Sequence, residues 1–87
     1  MDKEKTIKVA RVITILHLIE GGNQGQLNLI NCPEIKKNLA QLAEKGFIER
    51  KKGALKLKTK GKKLLDNLSF KQRQRFKRFF FAHQKTP

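Results

Sequence analysis

The hydrophobic positions in the first 20 residues follow the period of an α-helix. The pattern predicts a helix over residues 5–20 that ends at Gly21-Gly22. Its main stripe consists of Val9, Val12, Ile13, Leu16 and Ile19. A second, narrower strip lies nearly opposite and consists of Ile7, Ile15 and Leu18. A helix that is apolar on two sides must be covered on two sides. We expect one side to pack on the helix that follows Asn31, and the other to be covered by the C-terminal helix or a second subunit.

Residues 23–30 carry a weaker pattern. Residues 26–30 fit a short helix of one to two turns, with Leu27 and Ile30 as core contacts, or an extended segment that pairs with a later strand. We favour the short helix. Cys32 follows where a helix-to-helix turn needs a small apolar residue, so we expect it to fill the core rather than act as a redox switch.

The next segment predicts a capped helix that a glycine ends. Asn31 is suited to the N-cap, Pro33 to the first turn and Glu34 to a capping box. The inward stripe consists of Ile35, Leu39 and Leu42, and the outward side carries Lys36, Lys37, Ala40, Gln41 and Glu44. Lys45 and Gly46 suit the C-terminal end.

A basic β-hairpin is predicted directly after this helix. The first predicted strand begins at Phe47. In the second predicted strand, Leu55 and Leu57 alternate with lysines. Between them Gly53 allows a tight reversal of the chain.

Two helices are predicted in the remaining residues. Thr59 should cap a helix over residues 60–68, whose inward side chains are Leu64, Leu65 and Leu68. Ser69 and Gln72 form a capping box that opens a last helix from residue 70 to about residue 82. On that helix Phe76, Phe79 and Phe80 share one side, and Lys71, Arg75 and Arg78 share roughly the opposite side. We expect residues 83–87 to be frayed.

The charge of the chain indicates the kind of partner that the protein binds. The 87 residues contain 21 Lys and Arg against 7 Asp and Glu, a formal net charge of +14. This balance favours a polyanionic partner, with nucleic acid ahead of an acidic membrane. The chain has one cysteine, no signal-peptide pattern and no apolar run of membrane-spanning length, so we expect an intracellular, cytoplasmic protein.

The sequence lacks the residue clusters of an enzyme. We find no metal-ligand spacing, no glycine-rich phosphate loop and no serine or cysteine nucleophile beside a base, and we expect neither catalysis nor a cofactor or metal. His17 lies at the border of the two apolar faces of the first helix, and we expect it to be partly buried there.

The order L-A-Q-L-A-E-K-G-F-I-E-R, a basic hairpin and then L-K-T-K-G-K-K-L-L resembles the winged helix-turn-helix family over residues 7–68. The resemblance implies a mainly α fold with a small β-hairpin (α+β), a shortened second helix and an added C-terminal helix. It divides the chain into a winged-helix domain, residues 1–68, and a basic, Phe-rich helix and tail, residues 69–87. In such a fold the helix after Asn31 is the recognition helix and the hairpin is the wing.

The resemblance and the charge together predict a small regulator that binds double-stranded DNA as a homodimer. The expected DNA-binding residues are Lys36, Lys37, Gln41, Arg50, Lys51, Lys52 and Lys56. The expected dimer or partner interface is Ile7, Leu18, Phe76, Phe79 and Phe80. Alternatives are a module that uses the Phe side to inhibit a host polymerase or nuclease, and binding of RNA or a plasmid centromere. By analogy, the small size is typical of viral, plasmid or minimal prokaryotic regulators.

Overall fold

The computed structural model describes residues 3–23, 25–29 and 33–82. Within them the elements are α1 (Lys3–Glu20), α2 (Gly25–Leu29), α3 (Pro33–Glu44), β1 (Ile48–Lys51), β2 (Ala54–Leu57), α4 (Thr59–Asp66) and α5 (Phe70–Ala82). The two strands form an antiparallel sheet. The mainly α fold with a small β-hairpin is therefore confirmed. The predictions for Ile30, Asn31, Cys32 and residues 83–87 lie outside the described residues.

Helix α1 is the centre of the core and is covered on several sides. It contacts α2, α3, α4, α5 and β2, and α5 packs along it within the same chain. Leu18 on α1 is 2% exposed and Phe80 on α5 is 1% exposed. These two residues of the expected interface therefore belong to the core of the single chain and are removed from any surface open to a partner. The other three, Ile7, Phe76 and Phe79, are partly buried.

The main stripe of α1 is buried progressively along its length. Val9 is 49% exposed, Val12 is partly buried, and Leu16 and Ile19 are buried. The expectation that Val9 lies in the core is wrong. Val9 is exposed although the next residue, Ala10, is fully buried, so the side of α1 that carries Val9 is left uncovered at this turn.

The segment between α1 and β1 forms two helices. α2 is a helix of 5 residues with Leu27 buried, so the short helix is confirmed over the extended alternative. On α3, Ile35 and Leu42 are buried and Leu39 is partly buried, as the stripe predicts. The N–H of Gly46 donates to the carbonyl of Ala43 (3.2 Å), and the N–H of Phe47 donates to the carbonyl of Leu42 (2.9 Å). This pair of bonds satisfies carbonyls at the end of the helix and turns the chain into β1.

The hairpin reverses in two residues. Lys51 pairs with Ala54, and the two residues between them, Lys52 and Gly53, both have positive φ angles of 52° and 78°. Two positive φ angles define a type I′ turn, whose twist matches that of the paired strands. The turn therefore fixes the register of the hairpin.

Helix α4 packs directly on the chain that enters β1. Gly61 is buried, and a Cβ atom at that position would overlap the carbonyl oxygen of Phe47. The predicted role of Thr59 as the cap is wrong: Thr59 is the first helical residue, and Lys58 occupies the N-cap position without a side-chain cap bond. The backbone N–H of Lys58 instead donates to the same Phe47 carbonyl at 2.9 Å.

The predicted capping box of α5 is confirmed. The N–H of Ser69 donates to Oε1 of Gln72 (2.8 Å), and the N–H of Gln72 donates to Oγ of Ser69 (3.2 Å). One turn later, Nε and Nη2 of Arg73 both donate to the carbonyl of Leu65, at 3.2 and 2.8 Å, while Nη1 lies 2.9 Å from Oε1 of Glu20. Arg73 therefore joins α5 to both α4 and α1.

Candidate nucleic-acid interface

The outward side of α3 is open to solvent. Lys36, Lys37, Ala40 and Glu44 are exposed, and Gln41 is partly buried. The buried residues of the helix, Ile35, Asn38 and Leu42, lie on its other side. No described element covers the polar side of α3, so its side chains are free to meet a ligand as large as a nucleic acid.

A groove of about 360 Å³ separates α3 from the hairpin. It is lined by Lys36, Leu39, Ala40, Ala43, Ile48, Glu49, Arg50 and Leu55. Two of the predicted DNA-binding residues, Lys36 from the helix and Arg50 from β1, therefore border the same concave surface. Glu49 also lines the groove, but the alternation of side chains along β1 directs its carboxylate to the other face of the hairpin, beside Lys56.

The remaining cations of the hairpin point elsewhere. In the register of the sheet, Arg50 is opposite Leu55, while Glu49 is opposite Lys56 and Lys51 is opposite Ala54. Because side chains alternate along a strand, Lys51 and Lys56 are on the face of the hairpin that does not carry Arg50. Lys56 borders a separate groove of about 410 Å³, which β2 forms with α1 and α4.

The tip of the hairpin presents two exposed lysines, Lys51 and Lys52. The type I′ turn places them at the end of the sheet that is farthest from the Ile48–Leu57 pair. The seven predicted residues thus form three groups: Lys36 and Arg50 at the groove, Lys37 and Gln41 on the outward side of α3, and the hairpin cations Lys51, Lys52 and Lys56.

A polar contact that the sequence analysis missed lies behind the outward side of α3. Asn38 is buried, its Oδ1 accepts a hydrogen bond from Nε of Arg11 on α1, and its Nδ2 lies 3.4 Å from Oε1 of Gln41. A signal was present, because Asn38 interrupts the inward stripe of α3 and Arg11 interrupts the second strip of α1. Two polar residues on two apolar strips that face each other are expected to pair.

Lys60 also has a structural role that its charge alone did not indicate. Its Nζ donates to the carbonyl of Lys45 at 3.2 Å and lies 4.7 Å from the centre of the Phe47 ring. The cation thereby lies beside carbonyls at the C-terminal end of α3, where a positive charge is favoured.

His17 lies on the side of α1 that faces α5, away from the groove. Its ring packs edge-on against Phe70, with 6.4 Å between the ring centres, and no partner satisfies its Nδ1 among the described residues. Burial lowers the pKa of His17 below 6.5, and the charges of Lys77 and Arg73 lower it further, while Glu20 acts in the opposite direction.

In the part of the chain that the structure describes, no helix is long and apolar enough to cross a membrane. Among the same residues, no three His, Cys, Asp or Glu side chains are grouped closely enough to hold a metal ion. No family model, no curated protein and no solved structure matches this chain.

Proposed function

We propose that the protein is a small winged-helix regulator that binds double-stranded DNA, with α3 in the major groove and the hairpin as the wing. The observation that carries this proposal is the groove between α3 and the hairpin, which Lys36 and Arg50 border from opposite sides. Both elements that form the groove expose cations to solvent.

The order and dimensions of the elements support the proposal. Three helices precede a two-stranded hairpin, and the third helix lies beside β1, as the winged-helix resemblance implies. An α-helix with its side chains is about 10–12 Å across, and the major groove of B-DNA is about 12 Å wide. The 12-residue α3, whose outward side is uncovered, is a suitable element to enter it.

The proposal gives the seven predicted side chains three different roles. Lys36, Lys37 and Gln41 contact base edges, because lysine can donate to guanine and glutamine can pair with a base through its amide. Arg50, Lys51 and Lys52 contact phosphates beside the groove and fix the position of the protein on the duplex. Lys56 faces away from α3 and contributes to the positive field near the flanking backbone.

The structure gives less support to a module that docks a host protein through the Phe side. That alternative needs an accessible cluster of Phe76, Phe79 and Phe80. Phe80 is buried against α1, and the other two side chains are partly buried. By contrast, α3 and the hairpin present an open surface with exposed cations, which favours a nucleic acid.

A homodimer remains part of the proposal. A chain of 87 residues buries only about 60–65% of the surface that its unfolded chain exposes, so a second copy would add needed stability. Two recognition helices would also bind two half-sites of a palindrome. Sedimentation equilibrium with and without duplex tests this part independently of DNA recognition.

The experiment that tests the function is selection of bound duplexes from a random pool at about 0.15 M salt. We expect an enriched motif, and a palindrome would indicate two symmetric subunits. The double variant Lys36→Gln/Arg50→Gln should weaken binding to the selected duplex by about 1–3 kcal/mol or more.

The matched control is Lys5→Gln/Lys8→Gln, which removes the same charge from exposed positions on α1. If the pool shows no enrichment, or if the two double variants lose affinity equally, the proposed recognition by α3 and the hairpin is wrong.

A further inference from the structure

The outer side of α5 is a second basic surface. Residues 70–82 contain five Lys and Arg and no Asp or Glu. Of these cations, Lys71, Arg75 and Arg78 are exposed, whereas Arg73 is directed towards α4 and α1. The exposed three follow one another at intervals of about one helical turn, which produces a continuous positive ridge.

An exposed aromatic ring lies beside this ridge. Phe70 is 68% exposed, and its ring is supported from one side by the edge contact with His17. Phe70, Lys71, Gln74, Arg75 and Arg78 together line a groove of about 420 Å³. The groove therefore combines a supported aromatic ring, three cations and one amide that can both donate and accept.

We propose that this groove binds single-stranded nucleic acid, with one base stacked on Phe70 and the adjacent phosphates on Lys71, Arg75 and Arg78. Proteins that bind single strands without strong sequence preference combine a cationic groove with aromatic side chains on which bases stack. This inference goes beyond the proposed duplex recognition and does not depend on it, since the residues that line the groove are all on α5.

The structure favours a single strand over the two other polyanions considered. A basic helix on an anionic membrane inserts its apolar side at the acyl boundary, but the apolar side of α5 is packed on α1, where Phe80 is buried. In a duplex the bases are stacked on one another, so a surface ring such as Phe70 has no free base to contact. Unstacked bases of a single strand are available to an aromatic side chain.

The test uses the absence of Trp and Tyr from the chain. Phe70→Trp introduces the sole indole, and titration with a thymidine 12-mer should quench its fluorescence, because stacking on a base brings the indole into direct contact with it. Phe81→Trp is the matched control, since Phe81 is also exposed on α5 but does not line the groove. We expect little quenching in the control.

Affinity measurements on the full-length chain separate stacking from charge. Phe70→Ala should weaken 12-mer binding about tenfold, the order of effect that the loss of one stacked base produces. Lys71→Gln/Arg75→Gln/Arg78→Gln should reduce the slope of log K against log salt by about 2, since each phosphate contact to a single strand contributes about −0.7. Lys5→Gln/Lys8→Gln/Lys63→Gln removes equal charge from exposed positions outside the groove and should change the slope less. Circular dichroism establishes that each variant is folded.

Four results would each overturn the proposal. The first is that the 12-mer does not bind, and the second is that the groove variants and their controls have equal effects. The third is that a duplex of the same length quenches the fluorescence of the Phe70→Trp variant as strongly as the 12-mer does. The fourth is that anionic phospholipid vesicles quench this fluorescence and the 12-mer does not. None of these results bears on duplex selection through α3, so failure of this inference is distinguishable from failure of the proposed function.

Discussion

Arg11 of α1 donates its Nε–H to Oδ1 of Asn38 on α3, 27 positions later in the chain. Arginine has no acceptor atom, so this contact determines which end of the Asn38 amide faces α1. The Nδ2 of Asn38 must then face Gln41, where it lies 3.4 Å from Oε1. The amide nitrogen of Gln41 is consequently the group turned away from Asn38 towards solvent.

Replacement of Asn38 by leucine should destabilise the fold, although a buried position usually accepts an apolar side chain. Arg11 would lose its acceptor while it is still partly buried, at a cost of about 1–3 kcal/mol. Urea denaturation followed by circular dichroism measures the change. Asn38→Asp keeps the acceptor and should lose less stability; equal losses in the two variants would contradict the assigned contact.

The same Asn38→Asp variant should also alter DNA recognition. A carboxylate cannot donate, so Gln41 would turn its amide nitrogen towards residue 38 and present its oxygen instead. If the protein binds duplexes as proposed, the selected motif should change at one base, from an acceptor such as guanine O6 to a donor such as cytosine N4. An unchanged motif from the same random pool would show that Gln41 does not contact bases.

The salt dependence of duplex binding should report how many cations contact phosphates. If about four cations in each subunit of a dimer neutralise phosphates, log K should fall against log salt with a slope of about −7. Fluorescence anisotropy between low and moderate salt measures this slope. A slope near about −2 would mean that most of the positive charge does not contact the duplex.

Gly61→Ala should destabilise the protein despite the higher helix propensity of alanine. The added methyl group would overlap the carbonyl oxygen of Phe47, and relief of this overlap requires movement of α4 or of the chain entering β1. We expect a loss of about 1–3 kcal/mol in thermal or urea denaturation. Gly25→Ala, where a Cβ meets nothing within 4 Å, is the control and should be neutral or stabilising by up to about 1 kcal/mol.

Stability should decrease as the pH falls below 6.5 and His17 begins to be protonated in the unfolded chain. The pKa of His17 is lowered in the folded protein, so the unfolded state binds more protons as the pH falls, and its free energy is lowered relative to that of the folded state. His17→Leu should reduce this dependence in urea denaturation between about pH 7 and pH 5, and Lys77→Gln should reduce it in part. A steeper dependence in Lys77→Gln would contradict the electrostatic contribution of that lysine.

Local signals in the sequence predicted much of the fold. The reciprocal hydrogen bonds of Ser69 and Gln72 follow from the capping-box spacing, and the turn at Gly53 follows from the positive φ that a tight reversal needs. These features involve residues within four positions of one another, so a short stretch of sequence contains all of the relevant chemistry.

Features that depend on distant parts of the chain were missed. Val9 belongs to the apolar stripe by periodicity, but its exposure depends on which sides of α1 the distant elements cover. The pairing of Arg11 with Asn38 and the contact of Gly61 with Phe47 require knowledge of which elements pack together. The groove beside α3 also depends on long-range packing. The sequence predicts the cations near it, but it does not predict that Arg50 faces the groove and Lys56 does not.

The two-residue turn at Lys52 and Gly53 restricts how the hairpin can change its reach. An insertion in one strand alone would break the pairing of Lys51 with Ala54, and one extra residue in each strand would move Lys51 to the opposite face. Two extra residues in each strand preserve the orientation of every side chain and extend the hairpin by about 6.8 Å. The hairpin is therefore expected to lengthen in steps of four residues, two in each strand, in related sequences or in engineered variants.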